Sequence, residues 1–195
     1  MKQSIIFRLV QITCILFLFA TQGCKKSADG GNNTSGYYLE AKINGQAWSA
    51  NVASSLNNSP AIAALTTSGS TSVVLLLGLM AVNKDTTALV LIFPPNITLN
   101  KTLDLDPGQF TEAAYVAEIS PGSGTYYGYN TTSATGGSGK ITITLFDKTA
   151  KIIEGTFSGV FGSQQGRAAV QVTDGKFRCV YTTDVTKLPK SGVKI

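Results

Sequence analysis

Beyond residue 36 the apolar residues of this chain recur at every second position, and that period limits the fold more than any other feature. Tyr37, Leu39, Ala41 and Ile43 alternate with Tyr38, Glu40 and Lys42. A period of two places alternate side chains on opposite faces of an extended strand, whereas a helix repeats at about 3.6 residues. Asn44-Gly45 follows at once. These two residue types tolerate the positive φ angles of a tight hairpin turn. "QAWSA" returns from the turn carrying Trp48.

The pattern continues through "AIAALTTS" (61–68), "SVVLLLGLM" (72–80), "TALVLIF" (87–93), "QFTEAAYVAEI" (109–119) and "TYYGYN" (125–130). Pro94-Pro95 ends the run before it, because neither residue donates to a strand ladder. Gly and Ser clusters at 69–72, 122–124 and 136–139 separate the runs. The C-terminal third adds "KITITLFD" (140–147), "IEGTFSGVF" (153–161) and "AVQVTDGKFRCVY" (169–181), the last with Asp174-Gly175 as a turn or bulge inside it. No window offers a long, capped amphipathic helix. The expected fold is all-β, an antiparallel β-sandwich of about nine or ten strands, with a closed antiparallel β-barrel as the alternative.

The first 23 residues differ in kind. Lys2 and Arg8 give a basic start, and "LVQITCILFLFA" (9–20) is almost wholly apolar. A dozen apolar residues are fewer than the roughly 20 that span a bilayer but suit the core of an export signal. Gly23-Cys24 follows, as in a bacterial lipobox, where the cysteine thiol receives a diacylglycerol and cleavage leaves it as the acylated N-terminus. Thr21 and Gln22 replace the usual aliphatic and small residues of that motif. The expected organisation is a lipoprotein signal peptide at 1–23, with signal cleavage between Gly23 and Cys24. The lipidated Cys24 and a flexible tether follow at 24–36, then a single β domain at 37–182 and a basic tail at 183–195. The tether "SADGGNNTSG" (27–36) has no apolar residue larger than alanine. Ten such residues reach on the order of 15–20 Å.

Cys14 leaves with the signal and Cys24 carries lipid, so Cys179 is the one thiol left and an intramolecular disulfide is excluded. About 150 residues must therefore hold together by one hydrophobic core. Cys179 alternates with Phe177 and Tyr181 and reads as a small buried hydrophobe.

A net charge of +5 invites a nucleic-acid reading, but the location of the charges removes it. Nine basic and nine acidic residues lie between Tyr37 and Thr182, so the domain is neutral. The surplus sits at Lys25, Lys26, Lys187, Lys190 and Lys194, next to the expected anchor and in the tail. Those positions suit anionic headgroups. The expected partner is the membrane, through the N-terminal lipid.

The chain has no histidine. That excludes Ser-His-Asp and Cys-His nucleophiles, histidine zinc sites and the commonest general base near neutral pH. One thiol builds no cysteine metal site. No cofactor or metal is called for. Carboxylates remain: Asp104 and Asp106 in "LDLDPG" fall on one face if that piece is a strand, as a calcium site or a glycosidase pair requires. Glu112 and Glu118 read as ordinary exposed positions. "TGGSGK" (135–140) resembles a phosphate loop in composition only and reads as a hairpin loop. The expected role is non-enzymatic, with a carboxylate-based glycan hydrolase and a barrel binding a small apolar ligand as alternatives. Tyr126, Tyr127 and Tyr129 are the candidate ligand site, since flat apolar rings with polar tips suit stacked sugars. Another envelope protein is the alternative partner.

"INGQAW", "SGKITITLFD", "IEGTFSGVF" and "VQVTDGKF" together resemble a family of small Bacteroidota envelope lipoproteins catalogued as a domain of unknown function. The resemblance covers roughly residues 37 to 181. It implies a lipid-anchored, all-β envelope protein and no catalytic residue. Asp85-Thr86-Thr87 resembles the short Asp-Thr-x motif used for O-glycosylation in these bacteria, which makes Thr86 a candidate acceptor. Surface-exported lipoproteins of the group resemble one another in carrying acidic residues just after the lipidated cysteine. Lys25 and Lys26 stand there instead, so the expected location is the outer membrane, facing the periplasm.

Overall fold

The computed structural model describes residues 36–51, 59–68, 71–82, 85–106, 111–120 and 125–184. Among them run eleven strands: β1 (Tyr38–Ile43), β2 (Gln46–Ser49), β3 (Ala61–Ser68), β4 (Thr71–Val82), β5 (Asp85–Phe93), β6 (Thr102–Asp104), β7 (Glu112–Ser120), β8 (Thr125–Asn130), β9 (Ser138–Asp147), β10 (Ile152–Ser163) and β11 (Val170–Thr182). The fold is all-β, as the period of two requires. A single 3₁₀ turn, Ser133–Thr135, interrupts the path between β8 and β9.

Pairing divides the strands into two layers. One has the order β2-β1-β11-β10-β9-β6 and the other β3-β4-β5-β7-β8. Apolar residues of alternate positions from both layers meet in one core: Leu39, Ala41 and Trp48 with Ile141, Ile143, Ile153, Phe157, Phe161, Phe177 and Cys179 from the first, Val74, Leu76, Leu89, Leu91, Phe93 and Tyr129 from the second. This is a sandwich. Its two layers are nonetheless stitched at the corners. Gly162 and Ser163 of β10 pair with Asn130 and Tyr129 of β8, and Val180–Thr182 of β11 pair with Ile62–Ala64 of β3. The second corner is parallel, the single departure from antiparallel pairing among the described strands. Corners of two and three residue pairs do not make the evenly paired wall of a barrel.

The turns follow their residues. Asn44 and Gly45 both adopt positive φ, at 49° and 79°, which closes the β1–β2 hairpin with the twist its strands need. Asp174 also has positive φ. It marks a bulge in β11, where the register against β10 slips between Phe157 and Gly159.

The outer faces of the two layers differ. On the β1–β11–β10 face lie the ion pairs Lys42–Asp174 (2.8 Å), Lys176–Glu40 (3.0 Å) and Arg178–Glu154. The two lysine pairs are exposed and contribute little to stability, while the Arg178–Glu154 pair is half-buried. The outer face of β4, β5 and β7 instead carries a second apolar cluster of Leu77, Leu79, Ala88, Val90, Ile92 and Ala114. β4 and β5 are therefore apolar on both sides, which explains the near-continuous hydrophobic run "SVVLLLGLM".

Candidate functional site

The sheet edge at β6 forms the wall of an open groove. β6 pairs with β9 for three residues, ending with Asp104 opposite Lys140. The Leu105 amide still donates to the Gly139 carbonyl at 2.8 Å, and then the chain folds back so that the Asp106 amide reaches the Asp104 carbonyl at 3.0 Å. Asp104 and Asp106 are thus not two strand positions on one face. They flank a tight turn. Buried Thr111 holds that turn: its hydroxyl donates to the carbonyls of Asp104 (2.7 Å) and Asp106 (3.0 Å) and accepts from the Asp106 amide (3.1 Å).

The opposite wall is the segment after β8. Asn130 Oδ1 accepts from the Thr132 amide and from the hydroxyls of Thr132 (2.8 Å) and Thr135 (2.7 Å). These bonds wind the 3₁₀ turn, and Gly136 ends it in the left-handed conformation. The groove between the walls has a volume of about 500 Å³ and is lined by Asp104, Asp106, Thr131, Ser133, Ser138, Lys140 and Ser158 over Gly137, Gly139 and Gly159. A Cβ on Gly139 would stand 2.8 Å from the Ser158 carbonyl oxygen. The "TGGSGK" stretch is therefore groove floor and rim, not a phosphate cradle.

Two carboxylates, one ammonium group, several hydroxyls and bare backbone surround this space, together with the apolar residues Leu105 and Val160. They offer acceptors and donors in mixed order with little net charge. Asp104 and Asp106 are both exposed, whereas a glycosidase acid relies on burial against apolar surroundings. Among the described residues no group of three or more His, Cys, Asp or Glu side chains stands close enough to hold a metal ion.

The tyrosines require a correction. Tyr127 and Tyr129 share a face of β8, as their spacing demands, but it is the inner face. Tyr129 is 8% exposed within the core, its ring centroid 6.1 Å from that of Tyr115. Tyr127 packs half-buried against the same core, and the Arg167 guanidinium lies over its ring at 3.4 Å. A pair so occupied presents no stacking face for sugar rings. The side chain of Tyr126 lies outside the described residues, as do Gly23 and Cys24.

Thr86 is 3% exposed, on the face that carries the second apolar cluster, so its hydroxyl is not presented for glycosylation. Glu112, read from sequence as an exposed position, is 4% exposed with no hydrogen-bond partner for Oε1. Burial pushes its carboxyl up to about 7. The Asn130 Nδ2, on the next strand, is likewise buried without a partner. Cys179 is fully buried, and burial pushes its thiol upward. It is inert packing, as its alternation implied.

Comparison of the chain with protein families, with curated proteins and with solved structures finds no match.

Proposed function

We propose that this chain is a lipid-anchored protein of the cell envelope, held in the outer membrane on the periplasmic side, whose β domain binds a hydroxyl-rich ligand of the glycan class without transforming it. The observation that carries the binding reading is the groove itself. It gathers Asp104, Asp106, Lys140 and Ser158 over a glycine floor that lets a ligand approach the backbone. Carboxylates accept from sugar hydroxyls, while the ammonium group and serine hydroxyls donate to sugar oxygens. Anchoring rests on the apolar run that ends at Gly23-Cys24 and on the family resemblance of the motifs between 37 and 181.

A glycan array probed with the wild-type domain and with Asp104→Asn/Asp106→Asn tests the binding reading. Loss of a wild-type signal in the double variant, with the melting temperature unchanged within a few degrees, supports it. Equal binding by both, or none by the wild type, removes the groove from consideration. Release of reducing ends from a bound glycan would favour the hydrolase alternative, which the same two carboxylates motivate. The apolar-ligand alternative lacks such a motive, since core side chains occupy the space between the layers. For the anchor, Cys24→Ser abolishes incorporation of labelled fatty acid.

A further inference from the structure

Two side-chain atoms among the described residues are buried without a hydrogen-bond partner, Glu112 Oε1 and Asn130 Nδ2. Buried polar groups in folded proteins are nearly always bonded, so an orphan calls for a physical reason. These two lie on adjacent strands and on one face. Ala114 of β7 stands directly opposite Asn130 of β8, and Glu112 is two residues before Ala114. One orphan is a donor and the other an acceptor.

Each also anchors one wall of the groove. Asn130 Oδ1 holds the Thr132 and Thr135 hydroxyls and so winds the 3₁₀ turn. Glu112 follows Thr111, whose hydroxyl holds the Asp104–Asp106 turn. Among the described residues that face Glu112, none is charged. Ile92 of β5 stands opposite it, Ala114 follows it on the same face of β7, and Asn130 flanks it on β8. The charged groups of the two walls, Asp104, Asp106 and Lys140, line the groove instead. Glu118, the next acidic residue of β7, is about 20 Å further along the strand.

While protonated, the Glu112 carboxyl is neutral and tolerates burial. Once ionised it requires donors, because a buried charge without them is costly. The donors gathered at Asn130 are its own Nδ2 and the hydroxyls of Thr132 and Thr135. A carboxylate forms stronger hydrogen bonds than an amide carbonyl does. It therefore competes with Asn130 Oδ1 for the bonds that wind the turn. Burial places the change at about pH 7, and the chain has no histidine to titrate beside it.

We propose that Glu112 is a proton switch for the groove. Protonated, it leaves both walls bonded; ionised, it draws donors away from Asn130 and loosens the wall that begins at Thr132. A rise in pH thus opens the groove. The consequence for a ligand rests on the binding reading above; the movement of the wall does not.

Hydrogen–deuterium exchange of the full-length chain at pH 6 and pH 8, corrected for intrinsic exchange rates, tests the switch. Peptides covering 130–137 should lose protection several-fold at pH 8, and Glu112→Gln, neutral at both values, should lose none. The loss should not depend on low concentrations of urea, since local opening exposes little surface whereas global unfolding exposes much. No loss in the wild type, or an equal loss in Glu112→Gln, would overturn the proposal. So would a loss that grows with urea as that of β11 does, which would make Glu112 a group of the whole fold alone. A glycan that binds in the array should bind the wild type several-fold more weakly at pH 8, and Glu112→Gln equally at both values. Equal wild-type binding at the two values would refute control of the groove by Glu112. A wild type that binds no glycan removes the binding reading only, and the exchange result still decides the switch.

Discussion

The Trp48 indole N–H donates to the Thr87 hydroxyl at 2.7 Å, so a residue of β2 in one layer is bonded to a residue of β5 in the other through the core. Tyr115 of β7 meets the same hydroxyl. Thr87 therefore satisfies two polar tips of large side chains that otherwise bury apolar surface. Thr87→Val keeps the shape and removes the acceptor. It is expected to cost about 1–3 kcal/mol, measured by urea unfolding, while Thr87→Ser costs less.

Glu112 makes stability fall with rising pH. Burial raises its carboxyl from 4.5 to about 7 in the folded state, so the native protein binds the proton more tightly than the unfolded chain. Its contribution is complete below pH 4.5 and is lost as pH rises through 7. The magnitude is on the order of 3 kcal/mol. Glu112→Gln should flatten the pH dependence of unfolding across that window and be more stable than wild type at pH 8. An unchanged slope would show that the carboxyl is not protonated in the fold.

Thr111 holds the turn that carries the two groove carboxylates. Thr111→Val removes the side-chain hydrogen bonds of the Asp104–Asp106 turn and leaves only its backbone bonds, Asp106 amide to Asp104 carbonyl and Thr111 amide to Asp106 carbonyl. The expected loss is about 0.5–1.5 kcal/mol, together with faster exchange of the Asp106 amide hydrogen and no change in amides of β11.

Gly162 sits at the corner where β10 passes to β8, opposite Asn130. A Cβ there would collide with the Thr135 carbonyl, a backbone group that cannot rotate away. Gly162→Ala should destabilise by about 1–3 kcal/mol or more, whereas Gly166→Ala, with open space around it but a positive φ, should cost about 1 kcal/mol. Calorimetry of the pair separates steric from conformational cost.

Most strands were legible because half-buried strands write their faces into the sequence. β9 and β11 alternate almost without fault, and Asn44-Gly45 announces its turn. β6 was not legible as a strand, since three residues carry too little period and the turn at Asp106 depends on a hydroxyl at Thr111. Parity placed Tyr127 and Tyr129 on one face but held no information on which face was inside. Glu112 looked exposed because alternation assigns polar residues to water, and β7 has apolar surroundings on both sides. The groove itself joins residues from 104 to 160, and nothing local in sequence encodes their meeting.

β11, near the chain's end, pairs with β1, β10 and β3 at once. Whichever route the polypeptide takes out of a ribosome or a membrane pore, its N-terminal strands emerge long before the partner that joins them. Until residue 182 is free, β1 and β3 each keep an unpaired edge and the β11–β3 corner cannot close, although the β10–β8 corner can. The joining of β1 and β3 to the rest of the domain waits for almost its last described residue, so the last strand to appear is the one that completes the sandwich.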